Sequence, residues 1–242
     1  SIGPGQTELY AASISPTTVY KSTNNGSSWP PLATLDINST SSKLLTDPND
    51  SQTLYAYTNN DGLLISNDGS TSWATTDSLA GENINQLIPD INGRLLAATL
   101  GKGLLISSDA GESWSEGANT GIIYSSILGM AINPNNTNVI YLATGGTGVH
   151  KSDDGGINWK AINNGLDDLI ILALEMDPVN ARVLYAATAQ GGVFVTEDAG
   201  DSWTPMNRGL FNKTITSLSI DPNDNTIIYA GTEGGGVFRI DR

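Results

Sequence analysis

Apolar positions in this chain come in short runs of four to six residues, separated by clusters of Gly, Pro, Asn, Asp and Ser. One run recurs as "LYAAS" from Leu9, "LYAYT" from Leu54, "LLAAT" from Leu95, "IYLAT" from Ile140, "LYAAT" from Leu184 and "IYAGT" from Ile228. A second follows each after a short turn, as "VYKS", "LLIS", "LLIS", "VHKS", "VFVT" and "VFRI". A third precedes most of them, as "KLLTDP", "GMAINP", "ALEMDP" and "SLSIDP". Runs this short, rich in β-branched and aromatic residues and bounded by turn formers, predict strands. A fixed period across the chain predicts a repeat architecture.

Each repeat therefore reads as four short strands, A to D. The A to B links "DPNDS" (Asp47), "DINGR" (Asp90), "NPNNTN" (Asn133), "DPVNA" (Asp177) and "DPNDN" (Asp221) are turn chemistry: proline presets φ and Asp or Asn caps the amides ahead. Between B and C a glycine recurs at Gly62, Gly103, Gly148, Gly192 and Gly236, where a tight hairpin needs positive φ; the first repeat has Thr18 there.

The link from C to D is an octet: "STNNGSSW", "SNDGSTSW", "SSDAGESW", "SDDGGINW" and "TEDAGDSW", ending at Trp29, Trp73, Trp114, Trp159 and Trp203. All five tryptophans of the protein occupy this slot. The hydroxyl residue opens the turn, Asn24, Asp68, Asp109, Asp154 or Asp198 caps its amides, the glycine takes the left-handed position, and the tryptophan packs back on the sheet. Asn24 replaces the aspartate of the first copy and Ser70 the glycine of the second, so looser turns are expected at both.

The octet resembles the Asp-box, or bacterial neuraminidase repeat, S-x-D-x-G-x-x-W, and the chain is similar to Asp-box propellers over almost its whole length. That resemblance, with the six B-strand runs, implies an all-β fold: a single β-propeller of six blades of four-stranded antiparallel sheets, with repeats at about 1–38, 39–80, 81–122, 123–167, 168–211 and 212–242. The first and last blades are expected to be incomplete, the first lacking most of strand A and the last lacking strand D. Either a strand from a longer precursor or a neighbouring subunit then pairs with Gly236 to Ile240, with head-to-tail self-association as the natural setting, or the last blade stays three-stranded and is covered by an interface.

Asp-box proteins include sialidases, xyloglucanases, sortilins and photosystem assembly factors, so the resemblance specifies fold more closely than function. Sialidases hold a substrate carboxylate with three arginines. Here Arg94 and Arg182 fall at A to B turns, Arg208 after a strand D, and Arg239 and Arg242 at the C-terminal end, an arrangement that does not converge. A xyloglucanase-like glycoside hydrolase, with a carboxylate pair across a cleft, is the enzymatic alternative; no catalytic residue is identifiable, and a non-catalytic role is expected.

Composition narrows the partners. A net charge of −14, from 25 acids against 11 Lys plus Arg, opposes a polyanion, so no nucleic acid is expected. No run approaches the length of a membrane helix, and no membrane insertion is expected. The absence of cysteine excludes thiolate chemistry and disulfides. A first residue that is Ser1, abundant Ser, Thr and Asn, and sequons at Asn25, Asn38, Asn49, Asn135 and Asn212 point to a processed, secreted or extracellular protein, periplasmic included. Paired octet aspartates could hold calcium, but their turn role accounts for them, and neither a metal nor another cofactor is implied. The lone His150 occupies the slot of Tyr20, Phe194 and Phe238 and reads as a packed aromatic substitute.

Within strict repeats, the B to C tips and D to A links diverge. The tips carry Asp61, Lys102, Thr147, Gln190 and Glu233; one D to A slot carries Asn38, Gly81, Tyr124, Asp168 and Asn212, with Ser39, Glu82, Ser125, Leu169 and Lys213 beside it. This face is the expected binding surface for a glycan or a protein loop, on an extracellular binding or assembly scaffold. A structural subunit of an extracellular array is the remaining alternative.

Overall fold

The computed structural model describes residues 8–13, 17–35, 42–58, 62–76, 79–117 and 126–242. It forms six antiparallel sheets and, among the described residues, no α-helix. Sheet 1 holds β1 (Leu9–Ala12), β2 (Thr17–Ser22) and β3 (Pro31–Leu35). Sheet 2 holds β4 (Ser42–Thr46), β5 (Leu54–Thr58), β6 (Leu63–Ser66) and β7 (Ala74–Thr75). Sheet 3 holds β8 (Ile84–Pro89), β9 (Leu95–Thr99), β10 (Leu104–Ser107) and β11 (Ser115–Glu116). Sheet 4 holds β12 (Ile127–Ile132), β13 (Ile140–Thr144), β14 (Val149–Ser152) and β15 (Lys160–Ala161). Sheet 5 holds β16 (Ile171–Met176), β17 (Leu184–Thr188), β18 (Val193–Thr196) and β19 (Thr204–Pro205). Sheet 6 holds β20 (Ile215–Ile220), β21 (Ile227–Thr232) and β22 (Gly236–Asp241).

Strand order within every sheet is sequential, so each is a meander of hairpins. Among the described residues, sheets 2 to 5 have four strands, sheet 1 begins at strand B and sheet 6 stops at strand C, as the repeat spacing predicts. The chain divides into two compact units, Ser1–Gly101 with Leu105–Ser115, and Lys102–Leu104 with Glu116–Arg242.

Why the B strands carry no polar alternation is plain from their burial. β5, β9, β13 and β17 are buried at all five positions, because both faces are covered by other chain segments. In the first unit, Tyr10 and Val19 of sheet 1 pack with Leu54, Ala56 and Leu64 of sheet 2, and Tyr55, Tyr57 and Leu63 of sheet 2 with Leu87, Leu95 and Ala97 of sheet 3. In the second, Tyr141 and Val149 of sheet 4 pack with Leu174, Leu184 and Ala186 of sheet 5. Tyr185, Val193 and Val195 of sheet 5 pack in turn with Ile215, Ile228 and Ala230 of sheet 6. The strand-B tyrosine thus faces the following sheet, and burial of such side chains, roughly 25 cal/mol for each Å² of apolar area, is the main stabilising term.

The octets are turns tied by their own side chains. Asp109 Oδ1 accepts Ser107 Oγ–H at 2.7 Å and the Ser113 amide at 2.9 Å, while Ser107 Oγ accepts the Gly111 amide at 2.8 Å. The same relay runs through Asp68, Asp154 and Asp198. Hydrogen bonds to the carboxylate, from Ser72, Ser113, Asn158 and Ser202, pull each of these four carboxyl groups down to about 2. The expected loosening at the two variant octets is not found. Asn24 Oδ1 accepts Ser22 Oγ–H at 2.9 Å and the Ser28 amide at 3.0 Å, because an amide oxygen supplies the same acceptor. Ser70 keeps the amide bond to Ser66 Oγ at 2.8 Å, and the departure appears instead as a serine at φ 74°.

The left-handed bend spans two consecutive residues, not one. Asn25 and Gly26, Gly69 and Ser70, Ala110 and Gly111, Gly155 and Gly156, and Ala199 and Gly200 all have positive φ. Among the described residues every non-glycine with positive φ lies in an octet. Such conformations cost roughly 1 kcal/mol for a residue with a Cβ, and the carboxylate relay offsets that cost.

His150 is 3% exposed on β14, with Nδ1 unpartnered and its imidazole pushed below the ordinary value by burial.

Candidate functional site

The B to C tips and D to A links are held to one another by backbone bonds and two kinds of side chain. Gly62, Gly103, Gly148, Gly192 and Gly236 all take positive φ, as the hairpins require. In the second unit the tip glycine bonds to the link that follows its own sheet: the Gly148 amide donates to Leu169 O at 2.9 Å and the Gly192 amide to Lys213 O at 3.0 Å.

Asn163 and Asn207 clamp the hairpin from below. Asn163 Oδ1 accepts the Val149 amide at 2.8 Å and its Nδ2 donates to Thr147 O at 2.9 Å. Asn207 does the same with the Val193 amide at 2.8 Å and Gly191 O at 2.7 Å. A Cβ on Gly148 or Gly192 would run into these amides. Neither asparagine figures among the residues expected from the sequence, although the repeated "NNGL" (from Asn163) and "NRGL" (from Asn207) carries the signal.

Two of the expected site residues reach back to the tips. Asp168 Oδ2 accepts the Gln190 amide at 2.6 Å and the Gly191 amide at 3.2 Å, and Oδ1 accepts the Ile170 amide at 3.0 Å. Asn212 Nδ2 donates to Glu233 O while its Oδ1 accepts the Thr214 amide at 2.9 Å. Both side chains tie a link to a tip of the same sheet. Thr147 is joined to Thr144 through their hydroxyls at 2.9 Å, and Lys102, Gln190 and Glu233 are exposed. Gly81 takes positive φ and Glu82 bonds its amide to Leu79 O at 3.0 Å. Asp61, Tyr124, Asn38, Ser39 and Ser125 lie outside the described residues.

The structure gathers part of this set into a polar depression of about 320 Å³ lined by Asp167, Asp168, Gln190, Gly191 and Lys213. Two residues before Lys213 stands Phe211, 93% exposed, in the position that Asp167 holds one repeat earlier. Leu169 and Ile170, on the preceding link, are also exposed. The depression offers two carboxylates, of which one keeps its tip contacts, an amide and an ammonium group. Phe211 was not among the residues expected. Of the three phenylalanines, Phe194 and Phe238 sit in C strands and Phe211 in a polar link, which is the signal that marks it.

A larger cavity, about 510 Å³, lies in the first unit on the octet side, lined by Ile65, Asn67, Ala74, Thr75, Thr76, Ala110 and Glu112. Among the described residues no three His, Asp or Glu side chains converge as a metal site requires. Of the arginines, Arg94 pairs with Asp90 at 2.7 Å, Arg239 with Asp241 at 2.9 Å and Arg242 with Asp177 at 3.2 Å.

Comparison with known proteins agrees with six meandering sheets. The model of the DUF6242 β-propeller domain matches residues 5–122, just under half of the chain. The fold is a β-propeller. No curated protein matches the sequence. Among solved structures, an ancestral GH74 enzyme is 24% identical over 99% of this chain and 35% of its own, with a TM-score of 0.81. The GH74 xyloglucanase from Xanthomonas campestris is 19% identical over 98% of this propeller chain and 44% of its own, with a TM-score of 0.79. YCF48 bound to D1 peptide is 15% identical over 93% of this chain and 73% of its own, with a TM-score of 0.70. The chain thus spans less than half the length of the two GH74 structures, and the likeness is one of fold.

Proposed function

We propose that the protein is a non-catalytic extracellular binding or assembly scaffold whose loop face takes a glycan. The observation that carries this reading is Phe211, a 93% exposed aromatic ring two residues along the chain from Lys213, which lines a polar depression. An exposed aromatic of that size is costly to leave in water, and its π face suits the apolar C–H face of a pyranose. Asp167, Gln190 and Lys213, which line the depression, supply acceptors and donors for ring hydroxyls. Asp168 is spent on three amides and holds the depression open; it is a positioning residue. A hydrolase would need two opposed carboxylates free to act on one bond.

A protein loop is the second reading, favoured by Leu169 and Ile170, apolar side chains left exposed next in sequence to Asp168 of the depression. A propeller of similar fold, YCF48, holds a peptide. A glycan array and a peptide array probed with the purified chain and with Phe211→Ala separate the two. Retained glycan signals that fall at least tenfold in Phe211→Ala support the first reading. Signals on peptides alone support the second, and signals untouched by the substitution contradict both.

A further inference from the structure

The depression on the loop face is built from three chain segments, all within the second unit. Asp167 and Asp168 come from the link that leads into sheet 5, Gln190 and Gly191 from the tip of that sheet, and Lys213 from the link that leaves it. Each segment is pinned. Thr188 Oγ1 closes the tip on itself, accepting the Gly191 amide at 2.9 Å and donating to Gly192 O at 2.9 Å. The entering link holds the tip through the Asp168 carboxylate and through Ile170 O, which accepts the Ala189 amide at 3.0 Å. The leaving link holds it through Lys213 O, which accepts the Gly192 amide at 3.0 Å. A ligand therefore meets lining groups whose backbone is already ordered.

On this frame stand two exposed charges of opposite sign that the fold does not use. Asp168 gives both carboxylate oxygens to amides, but the side chains of Asp167 and Lys213 have no hydrogen bond or ion pair among the described residues, with each other included. Asp167 lies against the tip because position 191 is glycine, where a Cβ would come within 2.6 Å of Asp167 Oδ1. No other link of the repeat has a lysine in the Lys213 slot or an aspartate in the Asp167 slot, so neither is a requirement of the blade. A ligand seated here strips water from both groups and must replace it with partners each can use. The ammonium only donates and is best answered by an anion; the carboxylate only accepts and is answered by hydroxyls. A sugar ring bearing one carboxylate presents both, and about 320 Å³ lies at the small end of ligand cavities, suited to a single ring. The net charge of −14 disfavours a ligand with many such rings. We propose that Lys213 selects a glycan carrying one hexuronate ring, whose carboxylate pairs with the Lys213 ammonium while its hydroxyls bond Asp167 and Gln190. This inference rests on the glycan reading of the loop face and adds the charge of the ligand to it.

Calorimetric titration of the whole chain with three probes tests this: a hexose oligosaccharide carrying one hexuronate, the methyl ester of that hexuronate, and the all-hexose counterpart. The ester keeps the shape and removes the charge. The acid should bind about tenfold tighter than the ester at about 0.05 M salt, and the gap should shrink at about 0.5 M salt, because the pair is exposed and screened. In Lys213→Gln, which keeps the main-chain bond to Gly192, acid and ester should bind alike. Acid and ester that bind wild type equally overturn the inference and leave the glycan reading standing. A gap that persists in Lys213→Gln also overturns it. Failure of all three probes to bind overturns the glycan reading and this inference with it.

Discussion

Arg242 Nη1 donates to Asp177 Oδ2 at 3.2 Å, which ties the end of sheet 6 to the A to B turn of sheet 5. The Asp177 carboxylate is fully buried and also accepts the amides of Val179 and Asn180 and the side chain of Asn225. Burial by itself would raise this carboxyl, but those bonds, with Asn225 first, hold it below the ordinary value. Arg242 also reaches the Tyr185 hydroxyl at 3.1 Å, so it stands between this tyrosine and the turn aspartate. In sheets 2 and 6 the tyrosine bonds the aspartate directly, Tyr55 to Asp47 at 2.9 Å and Tyr229 to Asp221 at 3.2 Å. Arg242→Ala should cost about 2 kcal/mol in denaturant unfolding, because it strips a partner from a buried charge. Arg239→Ala removes an exposed, solvent-screened pair with Asp241 and should leave the unfolding midpoint where it is in wild type.

Glu175 occupies the point in strand A where sister sheets have Leu45, Ile88, Ala131 and Ser219. Burial raises its carboxyl to about 7. The unfolded chain ionises this group near its ordinary 4.5, so the stability it contributes is full below that value and is lost as pH rises towards 7. Glu175→Gln should raise the melting temperature at pH 8, by the equivalent of about 2 kcal/mol, and leave it unchanged at pH 4.

The octet carboxylates act in the opposite direction. Each titrates at about 2 when folded and at an ordinary 3.8 when unfolded. Their contribution is complete above pH 4 and disappears as pH falls towards 2. A variant with Asn at positions 68, 109, 154 and 198, following the native Asn24, should flatten the acid limb of the thermal stability profile. An acid limb as steep as that of wild type would show that these hydrogen bonds are not what sets it.

Asn207 holds the sheet 5 hairpin through one donor and one acceptor. Asn207→Ala should destabilise the protein by about 1 to 3 kcal/mol, since it leaves the Val193 amide and Gly191 carbonyl short of partners. Amide exchange at Val193 should quicken more than at Leu184 on the adjacent strand.

What could be read from residues alone follows from how local each device is. The octets and the strand-B runs set the number of sheets, because their turns close through bonds spanning four residues or fewer, as between Ser107, Asp109, Gly111 and Ser113. The second left-handed residue of each octet was not legible at Ala110 and Ala199, since alanine carries no marker for positive φ. Asn163 and Asn207 act across 14 residues, on hairpins whose sequence does not mention them. On the loop face, divergence pointed to Asp168 and Asn212, but a side chain that differs between repeats can still serve the fold, and both are bonded to tips. Phe211 is not legible as a surface residue because an aromatic side chain by itself signals a strand.

The measurement closest to the central claim is a map of amide chemical shifts as the chain is titrated with the tightest ligand returned by the arrays. A loop-face binder perturbs Asp167 to Ile170, Gln190, Gly191 and Phe211 to Lys213, and Phe211→Ala abolishes the changes. Perturbations clustered instead at Ile65, Ala74 and Ala110, around the cavity on the octet side, would contradict the assignment of the binding face.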